Sequence, residues 1–326
     1  MLVELANGLT ERGHEVAVIM PPQGVIEYPL KVNVKRTRRP NITVGDIPKS
    51  DVIISNYYTL TSICEQASQS GKGVHVRLSL CYEPVFLPDH ESSFKSYHTS
   101  KNLIVLSNWQ KQLIQLNHGI EGEIVPVGVS KNFSNLGKRV INKNLEVSGI
   151  LRIPDGGFSW HREQEYLMES FTALKHKYPN VTFNLITPPG EMSSPILRQF
   201  HSNPLFNSLS PKNDQQLNEY LNRTDIFVSS STYDTASLPG LEAMKCGAAL
   251  VTVYSGGNMD YCRHGQNCLL SYRYENKLVP HVSTLIENAQ LRTKLIHEGE
   301  KEARKWTWER SVYLFEKAIQ QFKSTS

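Results

Sequence analysis

"YDTASLPGLEAMKCGAALVTVYSGG", residues Tyr233–Gly257, reads as a loop, a short helix and a strand in sequence. Pro239 suits the first turn of a helix, where its missing N–H would have no partner anyway. Gly247 suits the position just past a helix end. The run ALVTVYS behind it and DIFVSSS (225–231) ahead of it are β-branched segments of the buried-strand kind. A helix entered in this way starts at the carboxyl edge of a parallel sheet, where open α/β sheets bind ligands. Its first N–H groups and the positive end of its dipole attract anions. Asp234 falls in the loop and Glu242, eight residues on, is read as lying in the first turn. Two readings of this carboxylate pair stay open from spacing alone: charges that cap a helix, or acceptors that hold a ligand.

The same alternation runs outward in both directions. Candidate strands are HEVAVIM, VNVKRT, DVIISNY, GVHVRLSL, NLIVLSN and EIVPVGV in the first half, and LEVSGILRI, VTFNLIT, DIFVSSS, ALVTVYS and NCLLSY in the second. Between them lie helical patterns such as EQEYLMESFTALKHKY, where Leu167, Phe171 and Leu174 repeat at helical spacing. Strands alternating with helices indicate parallel sheets covered by helices. The 326 residues exceed one ordinary core and suit two domains. The polar stretch 130–144 reads as a linker between them, which gives domains 1–136 and 137–305 followed by a closing helix, 306–326. In that helix Trp308, Val312, Phe315 and Ile319 make one apolar stripe.

Composition removes several function classes. Without 18 consecutive apolar residues there is no candidate membrane span, and the acidic opening MLVELANGLTERGHEV does not read as a secretory signal. A net charge of +4 is too mild to imply nucleic acid. Five cysteines without a CxxC spacing read as reduced thiols, so a cytoplasmic protein without a metal site is expected. A P-loop and a dinucleotide fingerprint are both missing, and so is a DxD that would chelate a metal; DGG at Asp155 reads as a loop. The basic run Val34–Arg39 is either a solvated loop or a contact with anionic lipid head groups.

ASLPGLEAMKCGAALVTVYSGG followed by NMDYCRHGQNCLL resembles the E-x7-E region of the retaining glycosyltransferases of family 4. The match holds at Leu238, Pro239, Leu241, Glu242, Ala243, Met244, Cys246, Gly247, Gly256, Gly257, Gly265, Asn267, Leu269 and Leu270. It departs at Asp234, Ala236 and Ser237, where the family usually has Glu, Phe and Gly. GILRIPDGGFSWHREQEYLMESF, CYEPVFLPDH, EIVPVGVSKNF and KWTWERSVYLFEKAI resemble further segments of that family. The resemblance implies a GT-B fold, two Rossmann-like doubly wound domains facing a cleft. It also implies transfer of a sugar, with retention, from a nucleotide diphosphate sugar to an acceptor hydroxyl on a glycan or lipid-linked molecule. A UDP-sugar is the expected donor, with no further cofactor, and cell-envelope or exopolysaccharide synthesis the expected setting. Arg152 and Arg162 would grip the diphosphate with the backbone around Ser237, Leu238 and Pro239, while Glu242 would take the ribose and Asp234 the donor sugar. Arg162 also reads as a solvated helix-entry charge, and Glu83 either as a donor-side acid or as a buried capping acid. The family's opening strand and Gly-rich loop have no counterpart ahead of the first helix, so the first domain is expected to be incomplete, with two strands left lacking a neighbour. A catalytically impaired nucleotide-sugar-binding or partner protein is therefore the alternative.

Overall fold

The structure is a computed structural model that describes residues 1–137, 139, 144–153 and 160–325. Its chain divides into two compact units, Met1–Gly128 with Thr307–Ser326, and Val129–Trp306.

The first unit opens with helix α1 (Leu2–Glu11) and continues through strands β1 (Ala17–Met20), β2 (Asn33–Arg36) and β3 (Val52–Ser55). Helix α2 (Tyr58–Gln69), β4 (Val74–Leu78), α3 (His90–Lys95), β5 (Leu103–Val105), α4 (Asn108–His118) and β6 (Glu123–Ile124) follow. All pairings are parallel, but they form two separate sheets, β1-β2 and β3-β4-β5-β6. Ile19 of β1 packs with Ile53 of β3, Ile47, Cys64 and Ala67 in one apolar cluster. Among the described residues neither β1 nor β3 has a strand on its second edge. The basic run is partly β2. Lys35 donates to the Asp46 carbonyl at 2.9 Å, and Arg36 to the Pro22 and Gly24 carbonyls at 2.9 and 2.8 Å.

The second unit has one six-stranded parallel sheet. Along the chain come β7 (Glu146–Ile150), α5 (Gln164–Lys177), β8 (Thr182–Ile186), α6 (Pro195–His201), β9 (Asn207–Leu209), α7 (Asp214–Arg223) and β10 (Ile226–Ser229). Then come α8 (Leu238–Lys245), β11 (Ala249–Val253), β12 (Cys268–Ser271), α9 (Leu278–Glu287) and α10 (Ala289–Ala303). The order β12-β11-β10-β7-β8-β9 reverses direction between β10 and β7, and such a reversal opens a crevice beyond the strand ends. Val147, Val228, Val251 and Leu269 from four strands meet Leu167, Phe171 and Leu285 from the helices in one core. Strand β9 was not foreseen. NSL is short, polar and at the sheet edge, so it has neither a hydrophobic run nor an alternation to announce it.

The stretch expected as a linker is, where described, built into the second unit. Ser134 N–H donates to Asn218 Oδ1 at 3.0 Å and Leu136 N–H to Asn222 Oδ1 at 2.7 Å. Arg139 donates to the Thr224 and Cys246 carbonyls at 2.9 and 3.0 Å. Backbone N–H groups and the Arg139 guanidinium here serve amide and carbonyl partners of the second unit. Positions 138 and 140–143 of that stretch, and Asp155 with its DGG, lie outside the described residues. The chain ends with α11 (Trp308–Thr325), which packs Val312, Phe315, Ala318 and Ile319 into the first unit.

Candidate functional site

Four segments of the second unit bring chemistry to the carboxyl edge of its sheet. The first follows β7. Arg152 is held through its backbone, whose N–H and carbonyl both bond the Gln164 side-chain amide at the start of α5. Its guanidinium is engaged as well, donating from Nε to Glu191 Oε1 at 2.6 Å, while Ile153 N–H donates to Glu191 Oε2 at 2.6 Å. Glu191 comes from the 3-10 turn Pro189–Glu191 after β8, the strand beside β7. Burial alone would raise its carboxyl, but the Arg152 and Ile153 hydrogen bonds and the charges of Arg152 and Arg162 outweigh it and hold the group below its usual value.

The second segment is the 3-10 turn Trp160–Arg162. Its carbonyls are tied to the loop after β10, with Ser230 Oγ donating to Arg162 O at 2.6 Å and Thr232 N–H to His161 O at 2.7 Å. Burial, with the Arg162 charge beside it, pushes His161 down to about 4, so its ring is neutral.

The loop Thr232–Ser237 is the third. Asp234 is pinned by its backbone, its N–H donating to Ser255 O at 2.7 Å and its carbonyl accepting from Gly257 N–H at 2.8 Å. Desolvation raises its carboxyl to about 6, against the Arg162 charge and hydrogen bonds from the Ser231 and Ser237 side chains. Gly257 permits this approach, because a Cβ there would stand 2.0 Å from the Thr235 carbonyl oxygen.

The fourth is α8 itself. Ser237 precedes it with φ 49° and ψ 53°, a left-handed conformation that costs a residue with a Cβ roughly 1–2 kcal/mol. Pro239 is in the first turn and Gly247, at φ 81°, just beyond the end. One expectation is corrected here. The helix starts at Leu238, so Glu242 lies in the second turn, and no acidic residue occupies the first. Nor does the Ser237 side chain cap the helix; it bonds Asp234 instead. Part of Glu242 reaches solvent, yet burial, reinforced by the Asp214 charge and opposed by Lys245, pushes its carboxyl up to about 8.

Arg152, Arg162, Asp234 and Ser237 thus form one electrostatically connected group, joined by Glu191, which sequence reasoning missed. Glu242 has other neighbours, Asp214 and Lys245, and sits one helical turn further along. Glu83 belongs to the first unit. Its carboxylate accepts from Arg77 Nη2 and from the Tyr97 hydroxyl, each at 2.9 Å, and 3% of the residue is exposed. The Arg77 guanidinium lies 3.6 Å from the Tyr97 ring centroid. The Glu83 carboxylate is thus a buried ion-pair partner within the first unit. Among the described residues no group of three or more His, Cys, Asp or Glu is disposed to hold a metal ion.

Comparison with known proteins adds to this geometry. Residues 156–302 match the family model described as "Glycosyl transferases group 1". No curated protein matches the chain significantly. Among solved structures, sucrose-phosphate synthase from Thermosynechococcus elongatus superposes with a TM-score of 0.76 at 14% identity, covering 99% of this chain and 92% of that one. Anabaena HepE, in complex with UDP and glucose, gives 0.74 at 17% identity, with 99% and 94% covered. The pneumococcal O-GlcNAc transferase GtfA, with UDP and GlcNAc, gives 0.67 at 14% identity, with 85% and 58% covered. Identities this low speak for architecture alone, and the architecture they show is the GT-B fold.

Proposed function

We propose that the chain is a retaining glycosyltransferase that moves a sugar from a nucleotide diphosphate sugar, a UDP-sugar, to an acceptor hydroxyl on a glycan or lipid-linked molecule. The observation that carries this reading is the convergence of Arg152, Arg162 and Asp234 beside the start of α8 at the sheet's switch point. Two guanidinium groups and the first N–H groups of the helix stabilise the charge that develops on the leaving diphosphate, without a metal. Asp234, ionised above pH 6, accepts from a hydroxyl of the donor sugar. Glu242, mostly protonated at neutral pH, has hydrogen-bonding capacity for the ribose hydroxyls in either state. In the reaction the bond from the anomeric carbon to the phosphate oxygen breaks, and the bond to the acceptor oxygen forms on the same face. The acceptor proton passes to the leaving phosphate oxygen. UDP is also the nucleotide named with the HepE and GtfA structures. No described helix is long and apolar enough to cross a membrane, which suits work at the cytoplasmic face on an envelope or exopolysaccharide glycan.

A second reading, a catalytically impaired nucleotide-sugar-binding or partner protein in which the donor is weakly engaged, is favoured by one observation. Glu191 already occupies the Arg152 guanidinium and the Ile153 N–H, so a diphosphate must displace a carboxylate before it binds. Calorimetry with UDP, GDP and ADP tests the site. Arg152→Ala is expected to weaken UDP binding at least tenfold, and Glu191→Gln to tighten it severalfold. Equal affinity of Arg152→Ala and wild type for all three nucleotides would refute the site. Hydrolysis or transfer from labelled UDP-sugar separates the two readings.

A further inference from the structure

We propose that Tyr261 is the positioning residue of the anion-facing end of α8: its buried hydroxyl holds Ser237 in the left-handed conformation that aims the first N–H groups of the helix. The Tyr261 hydroxyl donates to the Ser237 carbonyl at 2.8 Å, and 1% of the tyrosine is exposed. A left-handed residue with a Cβ persists only where its surroundings hold it there. Ser237 is one of three such residues among those described, and the one that opens α8. Its carbonyl oxygen has the Tyr261 hydroxyl as partner, and a hydroxyl enclosed this fully must keep its bond.

The contact shapes the residues around it. At position 240, inside the first turn of α8, a Cβ would stand 2.5 Å from the Tyr261 oxygen, so a glycine there accommodates the hydroxyl. Tyr261 in turn is fixed from three sides. Its N–H donates to Asn258 O at 3.2 Å, its carbonyl accepts from Asn267 Nδ2 at 2.8 Å, and its ring meets Trp306 edge-on at 5.8 Å. Asn258 is itself anchored to the end of β11, with Nδ2 donating to Val253 O at 2.7 Å and Oδ1 accepting from Ser255 N–H at 3.0 Å. A continuous path of buried hydrogen bonds therefore runs from the sheet through Asn258 and Tyr261 to the helix start. The Ser237 side chain, bonded to Asp234, extends that path to the carboxylate of the site. Tyr261 touches no reacting atom in this scheme. It acts through Ser237.

The inference rests on the donor-site reading for its functional consequence, while the brace itself has a readout of its own. In the whole chain, Tyr261→Phe is expected to raise the Kd for UDP about tenfold by calorimetry and to shift the Leu238 and Gly240 amide resonances in ¹H–¹⁵N spectra. Ser237→Gly added to Tyr261→Phe is expected to restore UDP affinity to within about threefold of wild type, because glycine takes positive φ without a brace. A purely structural tyrosine would lower the melting temperature and leave both the Kd and those resonances unchanged, and that result would overturn the proposal. So would a double variant that binds UDP no better than Tyr261→Phe. If wild type binds no nucleotide, the donor-site reading fails. The Leu238 and Gly240 resonances then still decide whether Tyr261 sets the helix start.

Discussion

Glu242 shows how one carboxyl can couple site and stability. Its value is raised from 4.5 to about 8, so the folded state holds its proton more tightly than the unfolded chain does. The stabilisation from the neutral carboxyl is complete below pH 4.5, fades as pH climbs towards 8, and is gone above it. Glu242→Gln, which cannot ionise, is expected to melt near wild type at pH 5 and several degrees higher at pH 8.5. That gap is on the order of 2 kcal/mol once partial solvent contact is discounted. Thermal melts at the two pH values check it, and a gap of equal size at both would rule out ionisation as the cause. Local rules made part of this surrounding legible. Pro239 and Gly247 mark helix ends through their own backbone geometry, so a reader of the sequence finds α8. The turn that Glu242 occupies was misjudged by one residue's worth of helix start. Glu191 was not legible at all. It meets Arg152 across 39 positions because β8 lies beside β7, and no spacing in the sequence encodes that adjacency.

At the level of elements, the two units differ in how completely their strands are paired. β10 lies between β11 and β7 with Ile226, Phe227 and Val228 almost wholly buried, whereas among the described residues β1 is paired to β2 alone and is half-buried to exposed. Hydrogen exchange at β10 should therefore require opening of the whole second unit, and exchange at β1 only a local opening. Amides of β10 are expected to exchange roughly a thousandfold more slowly than those of β1, as measured by exchange mass spectrometry or NMR. Comparable rates would mean that β1 gains protection the pairing does not show. The strands of the second unit were readable because DIFV, ALVTV and VTFNLI are long apolar runs bounded by polar turns. Two strands lacking a neighbour were expected, but which two they are was less readable, since pairing partners are a property of the sheet and not of any one segment.

Across the whole molecule, the first unit is discontinuous in sequence and the second is continuous. Helix α11 completes the first unit against α1, where Gly8 lets Val312 come so close that a Cβ would stand 2.3 Å from it. Glu316 holds Arg12 and, at 2.7 Å, His14 Nε2. Burial of Val312, Phe315, Ala318 and Ile319 contributes on the order of 6 kcal/mol, comparable to the net stability of a typical domain. A chain ending at Trp306 is expected to lose the cooperative unfolding of the first unit while the second retains its own transition. Urea unfolding followed by fluorescence and circular dichroism reads both, and two intact transitions would show that α11 is dispensable. The same discontinuity bears on synthesis. Between the emergence of α1 and that of α11 the ribosome must make the 296 residues from 12 to 307 (307 − 11), the whole second unit among them, which takes about 15–59 s at roughly 5–20 residues per second. Throughout that interval α1 waits without Val312 and the helix that later packs against its Gly8. All residues of the second unit are therefore synthesised before the first unit is complete, which leaves the unfinished first unit as the one exposed to misfolding in that time.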